Sequence, residues 1–136
     1  MTRNPERALK DKRILVIDDE AAIRKSFVLA LEDTEYSVDT AESGEKGIEK
    51  ERENHYDLIF LDLNMPGLNG VETLRILRSI DDKVPVYIVT AFYHDFLHQL
   101  KDLENEIINF ELIQKPIGQD QIVLAVKSIL EGPITF

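Results

Sequence analysis

Five short runs rich in isoleucine, leucine and valine alternate along the chain with longer amphipathic segments. This alternation is typical of βαβ units, in which helices cover both faces of a parallel sheet. We therefore expect an α/β fold with a doubly wound, five-stranded parallel sheet. The runs place the strands at Ile14–Ile17, Ser37–Thr40, Leu58–Leu61, Val86–Val89 and Phe110–Ile113.

Apolar residues at helical spacing predict helices in the gaps between the strands and after the last one. The segment between Ser43 and Asn54 is different, because only Gly47 and Ile48 point inward in a charged sequence. We expect this second helix to be solvated and loosely held. The apolar faces of the other four are Ile23, Phe27, Ala30 and Leu31; Val71, Leu74 and Leu77; Phe96, Leu97, Leu100 and Leu103; and Ile122, Val126, Ile129 and Leu130.

Composition narrows the class of protein. A chain of 136 residues that is 43 % hydrophobic fits one globular domain. We divide it into a polar lead-in (1–11), the domain (12–131) and a tail (132–136). The net charge of -10 argues against direct nucleic-acid binding and against anionic membranes. The apolar runs are too short to span a bilayer and the polar N-terminus lacks a signal-peptide core, so we expect a cytoplasmic protein.

Polar side chains follow four of the predicted strands at the point where each strand ends. In an open α/β sheet, ligands bind outside the carboxyl ends of the strands, where the strand order reverses. These ends therefore mark the candidate site. The residues are Asp18, Asp19 and Glu20 after the first strand, Asp62 after the third, Thr90 after the fourth, and Lys115 with Pro116 after the fifth.

Three carboxylates would crowd one edge if the first and third strands are neighbours, namely those of Asp18, Asp19 and Asp62. Each pair at ~4 Å costs about 1 kcal/mol in water and about 4 kcal/mol at an effective dielectric of 20. Mg²⁺ would offset this repulsion, and the absence of cysteine disfavours zinc. Helix capping explains one such acid well, but it explains three acids from two strands poorly.

Four motifs in order resemble the receiver domain of two-component response regulators, the CheY-like family. They are the acidic pair "DD", then "DLNMPGLNG", "TA" and "KP". The resemblance extends from about Lys12 to Leu130. It implies a flavodoxin-like sheet of order 2-1-3-4-5 with five helices, a doubly wound fold that illustrates the switch-point rule.

The resemblance also implies roles for individual residues. Asp62 would be the phosphoacceptor, attacking a phosphohistidine to form an acyl phosphate. Asp19 and Asp62 would hold Mg²⁺ together with the backbone carbonyl of Asn64, and Asp18 would act mainly through a bound water.

Two further motif positions complete the implied acceptor site. Thr90 would donate its hydroxyl to a phosphoryl oxygen, and Lys115 would pair first with Asp62 and then with the phosphoryl group. The peptide bond between Lys115 and Pro116 is expected to be cis. Such a domain is not an enzyme in the ordinary sense, although it assists its own phosphorylation and dephosphorylation.

The implied partners are a sensor histidine kinase or a histidine phosphotransfer protein, and an output partner or effector domain that the sequence does not identify. The fourth helix, fifth strand and fifth helix would form the switching face. The sequence leaves open whether phosphorylation also drives homodimer formation, and whether the chain is a stand-alone receiver or part of a longer regulator.

The sequence departs from the family where a switch aromatic usually stands, because that position is Leu112. Phe110, on the same strand face, is a possible substitute. Phe92 follows Thr90 by two positions, where a large ring would slow hydrolysis of the acyl phosphate. Phe92, Tyr93 and Phe96 form either part of a longer fourth helix with a core stripe or a surface that changes on phosphorylation.

Three rival functions use similar residues or the same fold. An aspartyl phosphohydrolase normally has a second acid two residues after the nucleophile, where this chain has Asn64. A flavodoxin-like carrier would bind phosphate at its first loop, which the sequence "DDEAA" would repel. The third rival is a receiver-shaped module that is never phosphorylated. The glycines Gly67 and Gly70 predict only a tight turn in which glycine permits positive φ.

Overall fold

The computed structural model describes residues 12–91 and 93–132. Within them, the strands form one parallel sheet of order β2-β1-β3-β4-β5, which confirms the predicted fold. Residues 1–11 and most of the predicted tail lie outside the described residues. The strands are β1 (Arg13–Ile17), β2 (Ser37–Ala41), β3 (Leu58–Leu61), β4 (Val86–Thr90) and β5 (Glu111–Gln114), each within one residue of its predicted bounds at either end.

Helices connect the strands and cover both faces of the sheet. The α-helices in the described part of the chain are α1 (Ala21–Leu31), α2 (Gly44–Glu53), α3 (Gly70–Ile80), α4 (Leu97–Asn105) and α5 (Gln119–Glu131). A single 3₁₀ turn, Tyr93–Phe96, precedes α4. None of these described helices is long and apolar enough to cross a membrane.

The sheet separates two apolar cores. One lies between the sheet and α2, α3 and α4, and the other between the sheet and α1 and α5. The predicted inward faces of the helices are largely confirmed. The placement of Leu97 on the inward face of its helix is wrong, because this residue is 44 % exposed. The 3₁₀ turn carries the chain past Phe96, so α4 begins only at Leu97 and buries Leu100 and Leu103 instead.

The expectation that α2 is loosely held is wrong. Gly44, Gly47, Ile48 and Glu51 are buried, and only the other face of this helix is charged and exposed. A Cβ added at Gly47 would lie 2.4 Å from Cδ1 of Ile17. The helix backbone at Gly47 therefore packs directly against the side chain of Ile17 on β1, a contact that charge patterning does not reveal.

Glu51 is a buried acid in the interface between α2 and α3. Its side chain is 5 % exposed, and Oε2 has no hydrogen-bond partner among the described residues. Burial raises the pKa of Glu51 from 4.5 to about 7; the charge of Asp81 raises it further and that of Arg78 opposes the rise. Folding therefore shifts Glu51 toward its protonated form.

Replacing Glu51 with glutamine is expected to stabilise the protein at pH 8 by about 1–2 kcal/mol. Because the folded pKa lies above the unfolded value, stability is full below pH 4.5 and is lost as the pH rises through 7. Urea unfolding at pH 8 and pH 4 measures this, and the gain should vanish at pH 4. Glu49→Gln is the matched control, since Glu49 is exposed on the same helix. An equal gain from both variants would contradict the assignment.

Candidate functional site

The carboxyl ends of β1 and β3 place two acids side by side. The Asp62 amide donates to the Ile17 carbonyl at 2.9 Å, and the Asp18 amide donates to the Ala41 carbonyl at 3.1 Å. Strand pairing thus continues one residue beyond each strand. Both acids are buried, with 2 % of Asp18 and 3 % of Asp62 exposed.

Lys115 extends from the end of β5 to both acids. Its Nζ lies 2.9 Å from Oδ2 of Asp18 and 3.6 Å from Oδ1 of Asp62. The lysine amide donates to the Thr90 carbonyl at 2.9 Å, and the bond to Pro116 is cis. The ammonium group is thus shared by the two carboxylates, with its hydrogen bond to Asp18 rather than to Asp62.

The electrostatics of Asp62 are set mainly by burial. Burial, followed by the charge of Asp18, raises its pKa to about 6 against the opposing effects of Lys115 and the Asn64 backbone amide. Burial alone would lower the pKa of Lys115, but the hydrogen bond to Asp18 and the two carboxylate charges raise it overall. Lys115 therefore stays charged, and Asp62 is mostly ionised at neutral pH.

The first loop forms a group of three carboxylates with Asp18, and Asp62 is not part of this group. One oxygen each from Asp18, Asp19 and Glu20 lies within 4.8 Å of the others, and Asp19 and Glu20 are exposed. The Glu20 amide also donates to Oδ1 of Asp18 at 2.9 Å. The sequence places Glu20 at this edge as the third consecutive acid after β1, but it does not predict Glu20 as a metal ligand.

The donor set fits a hard divalent cation. The possible metal ligands in the group of Asp18, Asp19 and Glu20 are all carboxylate oxygens, and the chain has no cysteine. Oδ1 of Asp62 is buried and accepts no hydrogen bond from a described residue. Oxygen donors of this kind suit Mg²⁺, which keeps several waters and needs few carboxylates.

Comparison with known proteins identifies the family. The sequence model of the response regulator receiver domain matches residues 14–127. The chain belongs to the response regulator receiver family. It is 38 % identical over 125 residues to the transcriptional regulatory protein ResD of Bacillus subtilis. This alignment covers 88 % of the chain and 48 % of ResD. This receiver chain thus spans about half the length of that curated relative.

Solved receiver structures share the fold. The response regulator TrrA of Thermotoga maritima, solved in complex with Mg²⁺ and BeF, is 33 % identical with a TM-score of 0.71 and covers 87 % of this chain and 98 % of its own. A CheY-like receiver domain protein of Methanospirillum hungatei is 26 % identical with a TM-score of 0.78, over 88 % and 94 % of the two chains. Receiver domains of this family act in two-component systems with histidine kinases and output domains.

The predicted switch residues of this receiver lie on two adjacent strands. Thr90 is fully buried at the end of β4, and Leu112 on β5 pairs in register with Ile88. Leu112 and Phe110 are both partly buried against the same core, although Phe110 lies one residue before β5 and not on the strand as predicted. Phe92 lies outside the described residues, so its predicted effect on hydrolysis remains a prediction.

The loop between β3 and α3 holds two glycines for different reasons. Gly67 has φ = 76°, as the predicted turn requires. Gly70 does not have a positive φ, and that part of the expectation is wrong. A Cβ at Gly70 would lie 2.3 Å from the Asp62 carbonyl oxygen and 2.5 Å from Cα of Leu63. The start of α3 is therefore packed directly against the backbone of Asp62 and Leu63.

Proposed function

We propose that this receiver domain accepts a phosphoryl group on Asp62 from a phosphohistidine of a sensor histidine kinase or histidine phosphotransfer protein. The observation that supports this most strongly is the ammonium group of Lys115 between the buried carboxylates of Asp18 and Asp62. Under this proposal, a nucleophile and a cation for the phosphoryl oxygens would lie together at one edge of the sheet.

The transfer forms one bond and breaks one. A carboxylate oxygen of Asp62 attacks phosphorus, the new P–O bond gives an acyl phosphate, and the P–N bond breaks with its electron pair left on the histidine nitrogen. Positioning and charge neutralisation provide most of the acceleration in such transfers. Lys115 supplies positive charge and Thr90 a hydroxyl donor to the phosphoryl oxygens.

The acidic edge would hold Mg²⁺ through Asp18, Asp19, Asp62 and the Asn64 carbonyl. The bound ion neutralises charge that develops on the phosphoryl oxygens. TrrA, solved with Mg²⁺ and BeF, supports this proposal by relationship. In this role the domain is a phosphoacceptor and not an enzyme that turns over a separate substrate.

The output face we propose includes α4, β5 and α5. A groove of about 580 Å³ lies between α4 and β5, and Tyr93, Leu97, Leu100, Phe110 and Leu112 are among its lining residues. Leu112 takes the position of the usual switch aromatic, and its movement with Thr90 would change this groove after phosphorylation. An output partner or a second phosphorylated copy would then bind there.

Mass spectrometry of the intact protein tests the proposed function. After incubation with Mg²⁺ and acetyl phosphate, the wild-type protein should gain one labile phosphoryl group. Asp62→Asn, and wild-type protein with the metal chelated, should gain none. Rapid turnover of the donor would instead indicate a phosphohydrolase, and no gain at all would indicate a receiver-shaped module that is not phosphorylated.

A further inference from the structure

The first turn of α2 contacts the loop that follows the acceptor residue. Oε1 of Glu45 accepts a hydrogen bond from the Leu68 amide at 3.0 Å, across 23 positions of sequence. Oε2 of the same carboxylate would lie 3.5 Å from a Cβ added at Gly67. One side chain of α2 thus lies against two consecutive residues of the loop.

Gly44, the residue before Glu45, brings the start of α2 into close contact with the loop and with the start of α3. A Cβ at Gly44 would lie 2.1 Å from Oγ1 of Thr73 and 3.0 Å from the Leu68 carbonyl oxygen. On the α3 side, the hydroxyl of Thr73 donates to the Asn69 carbonyl at 2.8 Å. The loop is therefore held between the start of α2 and the start of α3.

The same loop carries a group that contacts the acceptor. The Asn64 backbone amide lies close enough to the Asp62 carboxylate to lower its pKa, and under the proposed function the Asn64 carbonyl is a metal ligand. Gly67 lies between Asn64 and Leu68, and its backbone is the least restricted in the loop. The hydrogen bond from the Leu68 amide to Glu45 therefore limits the loop conformations that would move Asn64 away from Asp62.

We propose that Glu45 is a positioning residue for phosphoryl acceptance. It acts through the Leu68 amide, which fixes the loop and with it the Asn64 backbone beside Asp62. This inference rests on the proposed function, since it assigns Glu45 to the same site. Glu45 itself touches neither the phosphoryl donor nor the acceptor carboxylate.

Two substitutions separate positioning from charge. Glu45→Ala removes the acceptor of the Leu68 hydrogen bond, and Glu45→Gln removes the charge but keeps an acceptor oxygen. We expect Glu45→Ala to lower the Mg²⁺ affinity and the maximal phosphorylation rate with acetyl phosphate by about three- to tenfold. Glu45→Gln should stay within about twofold of wild type, because the amide oxygen replaces the carboxylate oxygen.

The control and a direct readout complete the experiment. Glu49→Ala removes an equal charge one turn further along the exposed side of α2 and should leave both quantities unchanged. Hydrogen exchange of the Leu68 amide, measured by NMR in the absence of any phosphodonor, should be faster in Glu45→Ala than in Glu49→Ala or Glu45→Gln.

The outcomes distinguish this inference from the proposed function. Equal losses in Glu45→Ala and Glu45→Gln would indicate an effect of charge and would overturn the positioning role. The positioning role would also be overturned if the Leu68 amide exchanged no faster in Glu45→Ala than in Glu49→Ala. It would likewise be overturned if Glu45→Ala lowered the Mg²⁺ affinity and the phosphorylation rate no more than Glu49→Ala does. If wild-type protein accepts no phosphoryl group, the proposed function fails and the positioning role of Glu45 in phosphoryl acceptance fails with it, while Leu68 exchange still reports whether Glu45 holds the loop.

Discussion

Gly70→Ala should cost about 3 kcal/mol of folding free energy and most of the phosphoryl acceptance of the domain. The added methyl group would meet the Asp62 carbonyl oxygen at 2.3 Å and Cα of Leu63 at 2.5 Å. Both are backbone atoms, so no flexible side chain can move aside. Either α3 shifts outward or the Asp62 backbone is displaced from β1, and both changes disturb Asp62, the proposed acceptor. Urea unfolding and the rate of phosphorylation by acetyl phosphate measure the two effects.

Two other glycines serve as controls for this prediction. A Cβ at Gly118 would have only Oε1 of Gln121 nearby, at 3.7 Å, so Gly118→Ala should be nearly neutral. Gly67→Ala should cost about 1 kcal/mol, because φ = 76° is strained for alanine. If Gly70→Ala destabilised the protein no more than Gly118→Ala does, the close packing of α3 against Asp62 would be disproved.

Lys115→Met is the second substitution with a large expected effect. It leaves Asp18 and Asp62 buried side by side without the ammonium group that now lies between them. Removing one member of a buried charged cluster costs several kcal/mol in general, and we expect a loss of about 2–3 kcal/mol at pH 8. Phosphorylation by acetyl phosphate should fall at least about a hundredfold, because charge neutralisation provides most of the acceleration.

The pH dependence of Lys115→Met follows from the pKa of Asp62. That pKa is already raised to about 6, and losing the lysine raises it further. A carboxyl group with a raised folded pKa contributes stability below its unfolded pKa and loses it as the pH rises through the folded pKa. The deficit of Lys115→Met should therefore be smaller at pH 5 than at pH 8, and saturating Mg²⁺ at pH 8 should also reduce it.

Lys127→Met is the matched control for this prediction. Lys127 is an exposed lysine on α5, twelve positions after Lys115 in the sequence. This substitution should change neither stability nor phosphorylation by a measurable amount. A deficit of Lys115→Met that is the same at pH 5 and pH 8, and insensitive to Mg²⁺, would show that Lys115 contributes packing rather than charge.

The fold was predictable from the sequence because two local signals agree. The apolar runs mark buried strands, and the acids, the threonine and the lysine mark where those strands end. In a parallel sheet, all such ends lie at one edge, so Asp18 and Asp62 could be placed together before any coordinates were known. Lys115 reaches the same edge from β5, which is three places from β1 in the strand order.

The remaining features depend on which surfaces touch, and sequence patterning does not report that. Gly47 packs closely against the Ile17 side chain and Gly70 against the Asp62 backbone, and a glycine in sequence looks the same whether it permits a turn or a contact. Glu45 and Glu51 are two acids on one charged helix, yet one bonds to a loop and the other is buried. Leu97 was assigned to the core because helical spacing alone does not show where α4 begins.

Chemical trapping of the phosphorylated residue tests the central claim most directly. Borohydride reduces an acyl phosphate of aspartate to homoserine, so peptide mapping after treatment with acetyl phosphate and Mg²⁺ identifies the acceptor. We expect homoserine at position 62 alone, and only when Mg²⁺ is present. Homoserine at position 18 or 19, or a phosphoryl group on a histidine, would contradict the assignment of Asp62 as the acceptor.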